Sequence, residues 1–304
     1  MLQLIADGLI VGSVISLGAV GLTLTYSLLR FANFGHGELL TWGAYLTLAF
    51  LGLMLAGIEM VPLEPFSFGW PLLVALLVAL PATAAIALAV DWALFRRLAR
   101  HGSAITLVIA SFGAALALRN LVQFIWGTLP EYYTREIQIA IRFVPRDVLG
   151  GLRITPDQLL VLGLTAASVV ALHLFLTYST LGRAMRATAM NPSLARLAGA
   201  DVAKVARATW VIGAMLACIA GVFAGLTGQI RPMMGFDLLL PLFAAAILGG
   251  IGNVWGAVIG GLIVGLAESF TVPLLGAEYR AAGSFAVLIA ILLVRPTGLF
   301  GARA

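Results

Sequence analysis

The chain has 304 residues, of which 62% are apolar and only 10% charged, with a formal net charge of +5 and a mean hydropathy of +1.07. Soluble domains average about 45–50% apolar and about 25% charged residues, so this composition excludes a soluble enzyme, a nucleic-acid-binding domain and a disordered chain. The pI near 9.9 does not point to nucleic acid either, because the basic residues are spread between apolar runs, where a polytopic membrane protein keeps its loops.

A helix needs about 20 apolar residues to cross about 30 Å of hydrocarbon. By that measure the pattern predicts spans at roughly 3–29, 37–58, 71–95, 103–126, 157–178 and 208–229, shorter segments at roughly 238–252 and 254–272, and a last span at roughly 281–295. The expected fold is all-α, a polytopic transmembrane helical bundle of about 8–9 spans, in one transmembrane domain over 1–304. The first run lacks a basic n-region and is too long and continuous for a cleavable signal peptide; Asp7 is its first charge. At 1.5 Å per residue, 238–252 reaches only about 22 Å. It meets its neighbour at Gly249-Gly250-Ile251-Gly252-Asn253, a strong helix breaker. The pair crosses as short helices or forms a re-entrant hairpin, and either way returns to its starting side.

Positive charge sets the expected orientation. Arg30, then Arg96, Arg97 and Arg100, then Arg183, Arg186, Arg196, Lys204 and Arg207, and finally Arg295 and Arg303 share one side if nine segments cross. The positive-inside rule makes that side cytoplasmic and puts the N-terminus outside. An external loop is expected at about 128–156, where Glu131, Glu136 and Asp147 accompany basic residues. Small residues recur four apart at Gly8 and Gly12, Gly221 and Gly225, Gly256 and Gly260, and Gly261 and Gly265. Such pairs let helix backbones approach closely in lipid.

Residues 181–207 interrupt the apolar pattern. Asn191 suits an N-cap, Pro192 the first helical position and Gly199 a C-terminal cap, which predicts a helix of about two turns. Leu194 and Leu197 are three apart and share a face, with Arg186 and Arg196 nearby. Taken alone, this suits an ordinary surface helix or a docking helix for a cytoplasmic partner.

At this point a resemblance enters. GRAMRATAMNPSLARLAGADV looks like the cytoplasmic coupling segment of ABC-importer permeases. Asn33-Phe34-Gly35-His36-Gly37-Glu38 resembles the NFAHGE signature of branched-chain amino acid ABC permeases, with Gly35 where many relatives have alanine. Ala244 to Gly256, AAAILGGIGNVWG, resembles that family's AAVLGGIGSIPG segment, with the bulkier Trp255 near its end, and LLVRPTGLFG resembles LLVMPTGILG. The match is to the family's shorter permease subunit. It implies a coupling segment at about 182–205, in which Arg186, Asn191, Pro192, Leu194, Ala195, Arg196, Leu197 and Gly199 dock an ATPase. It also implies a second permease chain, alike or different, two cytoplasmic ATPase subunits, an external substrate-binding protein and a place in the bacterial inner membrane. The expected function is passage of branched-chain or other amino acids. Urea or short amides remain as alternative cargo, and a stand-alone secondary carrier or channel as an alternative mechanism.

Lys204 is the only lysine, so no GxxxxGK[ST] exists and ATP is expected to act on partner subunits, with no cofactor in this chain. Cys218 is the sole cysteine, and His36, His101 and His173 are far apart, so neither a disulfide nor a metal site is expected. Asn33, His36 and Glu38, and the Gly249, Gly250, Gly252 and Asn253 turn, are candidates for the pathway or for structural turns. Asp91 reads as an interfacial anchor. By helix rise, Arg119 lies about 24 Å into its span and Glu268 about 21 Å into its own. The cost of a lone charge in lipid predicts that they pair, or that one lines a watery cavity on the outer side.

Overall fold

The computed structural model describes residues 1–57, 61–99, 103–134, 138–145, 151–295 and 297–301. Arg100, His101, Glu136, Asp147 and Arg303, used above, lie outside the described residues. The helices are α1 Leu2–Leu29, α2 Gly35–Leu55, α3 Trp70–Val90 with a π-helical turn at Asp91–Phe95, the single turn α4 Arg96–Leu98, and α5 Ala104–Trp126. A small antiparallel hairpin follows, β1 Ile141–Val144 and β2 Leu152–Ile154. Then come α6 Pro156–Tyr178, α7 Thr180–Met190, α8 Pro192–Leu197, α9 Val202–Thr227, α10 Met234–Gly249, α11 Val254–Leu275 and α12 Arg280–Val294. Among the described residues eight helices are long and apolar enough to cross a membrane, and α10 is a shorter apolar helix.

The helix starts follow local chemistry. Thr155 and Gln158 form a capping box at α6, and Ser103, Ser179 and Asp201 accept backbone N–H groups at the starts of α5, α7 and α9. That last cap begins α9 six residues before the predicted 208, inside the charged stretch. The backbone N–H of Lys204, 2.9 Å from Asp201 Oδ1, holds that carboxyl below the usual aspartate range.

Helices α1 and α9 form the centre. Ile15, Leu17, Val20 and Leu22 of α1 and Trp210, Ala217 and Phe223 of α9 are buried. The α1–α11 seam is a close approach: a Cβ on Gly265 would overlap the Gly12 backbone, and one on Gly12 would lie 2.9 Å from Leu262 Cα. Ser16 Oγ donates across this seam to the Val258 carbonyl at 2.8 Å. All four glycine pairs read from the sequence sit at such helix–helix contacts or, for Gly225, against Ile230 and Tyr133. The outward sides of α3, α5 and α12 carry Leu77, Ile109, Phe124 and Leu293, apolar groups suited to lipid.

Two faces of the bundle matter below. One carries the N-terminus, the β-hairpin and the 228–233 loop, where Glu131 and Ile230 exchange backbone hydrogen bonds. The opposite face carries the end of α1, α8 and the 250–253 turn: Arg30 Nη2 donates to the Ala189 carbonyl at 3.4 Å, and the Gly252 N–H to Thr23 Oγ1 at 2.9 Å. Helix α10, with 16 residues, is about 24 Å long, and α11 runs back beside it. Among the described residues α10 is shorter than the eight helices long enough to cross a membrane, and the chain turns back through 250–253 into α11.

Candidate functional site

At the opposite face, α8 is held at both ends. Asn191 Oδ1 accepts the N–H groups of Ser193 and Leu194 at 3.0 and 3.1 Å, and Pro192 occupies the first turn. At the other end Gly199, with φ +87°, donates to the Arg196 carbonyl while Ala200 donates to Ala195, a Schellman closure. Ala195 is buried, whereas Leu194 is 62% and Leu197 85% exposed. Met190, at the end of α7, is 84% exposed. The result is a rigid two-turn helix whose apolar side chains point away from its own domain. Arg196 lines an adjoining cleft of 710 Å³ together with Arg96 and Arg207. Arg186 instead reaches back to the Thr177 carbonyl at 3.5 Å. The sequence reading missed α7: its polar, amphipathic pattern has no apolar run to announce it.

The turn before α2 is buried inside the bundle. Asn33 Oδ1 accepts the Gly35 N–H at 3.0 Å, the Asn33 carbonyl accepts the His36 N–H at 3.2 Å, and Phe34 N–H donates to Ser111 Oγ at 3.1 Å. His36 Nε2 lies 3.1 Å from the Gly18 carbonyl, which makes that nitrogen the donor. Its Nδ1 has no hydrogen-bond partner among the described residues. Glu38 Oε1 accepts from Arg119 Nη2 at 2.6 Å and Nε at 3.0 Å, and the guanidinium sits 4.3 Å from the Phe236 ring centroid.

The expected pair of Arg119 with Glu268 is therefore corrected. Helix α5 lies against α2, while α11 lies against α1, α10 and α12. Each charge takes its partner from the helix beside it, and depth alone could not supply lateral order. Glu268 accepts from Ser284 Oγ at 2.8 Å and lies 3.5 Å from Arg280 Nε.

The 249–253 segment is a tight structural turn. Gly249 meets Gly256 with no space for a Cβ, and Gly250 and Gly252 have φ of +94° and +90°. Asn253 Oδ1 caps α11 through the Gly256 N–H at 3.0 Å. Residues Leu299 and Phe300 donate back to the Leu248 and Gly249 carbonyls. Trp255 is accommodated at the periphery, where its Nε1 donates to His173 Nδ1 at 3.2 Å.

Sequence reasoning missed a cleft of 680 Å³ at the N-terminal face. It lies between the first half of α1, the 227–231 loop, the start of α10 and the facing ends of α11 and α12. Asp7, Asp237, Arg231 and Arg280 line it above an apolar wall that includes Val11 and Leu238. Asp7 falls inside the first predicted span, and Arg231, Asp237 and Arg280 fall just outside the ends of predicted apolar segments. Arg280, the partner of Glu268, lines this space, while Glu268 itself is buried and is not among the lining residues.

The family model for the permease component of branched-chain amino acid transport systems matches residues 4–292. The high-affinity branched-chain amino acid transport system permease protein LivH of Escherichia coli is 36% identical, covering 99% of this chain and 95% of the relative. BraD of Pseudomonas aeruginosa, named likewise, is 34% identical over the same shares, and a probable branched-chain amino acid permease LivH of Methanocaldococcus jannaschii is 28% identical over 98% and 92%. No solved structure matches. A polytopic helical bundle matched from Leu4 to Leu292 thus belongs to the branched-chain amino acid transport system permease family.

Proposed function

We propose that the chain is the membrane-spanning permease of an ATP-driven importer that carries branched-chain amino acids into the cell, with the N-terminus outside and α8 in the cytoplasm. The observation that carries this reading is α8 itself. A capped helix presenting exposed Leu194 and Leu197 beside Arg196 suits insertion into a groove of an ATPase. The names of the full-length relatives supply the cargo. The sole lysine, Lys204, is not part of a phosphate-binding loop, so nucleotide is used by two partner ATPases. A second permease chain and an external binding protein complete the assembly. Closure of the ATPases moves α8, and Arg30 ties that region to the Asn33–Glu38 turn through the Ala189 carbonyl. The bundle then alternates its access by rigid-body motion, and the chain makes and breaks no covalent bond.

Leu194→Asp with Leu197→Asp tests this. Both side chains are exposed, so the bundle should unfold at its wild-type temperature while co-purification of the ATPase falls at least about tenfold, the loss of about 1.4 kcal/mol of docking energy or more. Normal ATPase capture would refute the docking role. Uptake by the purified chain alone, without ATP, would refute the importer reading.

A further inference from the structure

We propose that the 680 Å³ cleft at the N-terminal face receives the cargo as a zwitterion, with the carboxylate beside Arg231 and Arg280, the ammonium beside Asp7 and Asp237, and the branched side chain against Val11 and Leu238. This rests on the amino acid importer reading above. It adds to that reading a place and a chemistry of recognition.

Both signs of charge line one space whose volume falls in the range of small-molecule sites, about 300–1,000 Å³. The charges are only loosely committed to one another. Arg231 Nη2 and Asp237 Oδ2 are 3.5 Å apart with side chains 47% and 50% exposed, the geometry of a weak surface pair. Arg280 lies at 3.5 Å from Glu268 through Nε and is 52% exposed, which leaves most of its five N–H donors free to bond elsewhere. Asp7 Oδ1 accepts a neutral amide, Gln3 Nε2, at 2.9 Å. A zwitterion can therefore replace the loose Arg231–Asp237 pair with two of its own and leave no charge alone. An acyl chain has no use for four charges, and a sugar or urea has no charge to offer them. The wall below is apolar and firm: Ile10 and Val14 of α1 are buried, and Val11 and Leu238 are partly exposed to the cleft. That wall rewards a branched aliphatic side chain and gives nothing to a polar one.

The test uses the complete transporter, with partner permease, ATPases and binding protein, in proteoliposomes loaded with ATP on the ATPase side. Cys218 is the only native cysteine of this chain and is buried, so Val11→Cys and Leu238→Cys each add one accessible thiol. A membrane-impermeant methanethiosulfonate applied from the binding-protein side is expected to label both and to cut L-leucine uptake more than tenfold. Treated wild type, and Leu164→Cys on the exposed apolar side of α6, should keep their uptake. Asp7→Asn and Arg231→Gln should each lower uptake at least fivefold while the complex still co-purifies. Failure of both thiols to label, undiminished uptake after labelling, or normal uptake by both charge variants would overturn the cleft assignment while leaving the importer reading intact. A wild-type complex that accumulates no leucine, isoleucine or valine would overturn the importer reading and the cleft with it.

Discussion

Arg119→Met should destabilise the bundle strongly. The Arg119 and Glu38 side chains are 10% and 1% exposed, and both guanidinium bonds go to one carboxylate oxygen. Removing one member of a buried pair strands the other and costs about 3–5 kcal/mol. The lost stacking on Phe236 adds about 0.5–1 kcal/mol. Removing both charges, Arg119→Met with Glu38→Leu, strands nothing and should stay within about 2 kcal/mol of wild type. Glu38→Leu alone strands Arg119 and costs about the same 3–5 kcal/mol, so the expected coupling is about 4 kcal/mol or more. The buried, unique Cys218 makes the assay direct: a thiol-reactive fluorophore lights up as the bundle unfolds. At about 2–4 °C per kcal/mol for a chain of some size, Arg119→Met should lower the midpoint by about 8 °C or more at a fixed scan rate, and the double variant should recover most of that. Arg119→Met with Glu268→Gln should be additive, because Glu268 answers to Arg280. If the Glu38 cycle is additive, or if Arg119→Met melts within about 2 °C of wild type, the reasoning fails.

Gly265→Leu should prevent folding, since the Gly12 backbone occupies the space its side chain needs; by contrast Gly163→Ala, with open space around it, should stay within about 0.5 kcal/mol by the same fluorophore assay. Asn191→Ala removes the α8 cap, worth about 1 kcal/mol locally, and should weaken ATPase capture several-fold without moving the melting midpoint; Asn191→Asp should restore it. Asp201 has its carboxyl held below the ordinary value by the Lys204 N–H. Its contribution is therefore fully present above about pH 4 and is lost as pH falls through the lowered value. Asp201→Asn, a neutral cap, should remove that acid-side loss from the stability profile; an unchanged profile would assign the acid sensitivity elsewhere.

The sequence made the apolar spans legible because lipid imposes a length and a polarity that few other environments demand. It made α8 legible because Asn191, Pro192 and Gly199 are each suited to their cap positions for local reasons. It misplaced the partner of Arg119 because helix rise reports depth and nothing in the pattern reports which helices are neighbours. Glu38 reads from the sequence as a pathway or structural-turn candidate, and its use by α5 depends on a contact between residues 81 apart in the chain. The cleft was hidden for the same reason. Asp7, the Arg231–Asp237 stretch and Arg280 come from three separate places in the chain, and only the assembled bundle gathers them. The β-hairpin escaped notice because its strands are four and three residues long, too short for alternation to register.

The burial of the Asn33–Glu38 turn has one more consequence. His36 reaches the Gly18 carbonyl, eleven residues or about 16 Å short of the end of α1, so α2 begins well inside the sheath formed by α1 and α9. Over that distance the insulating thickness is supplied by irregular backbone and three aromatic rings, Phe31, Phe95 and Trp210, instead of a continuous α2. Those packed rings close the bundle over the base of α2 on the side where α8 lies.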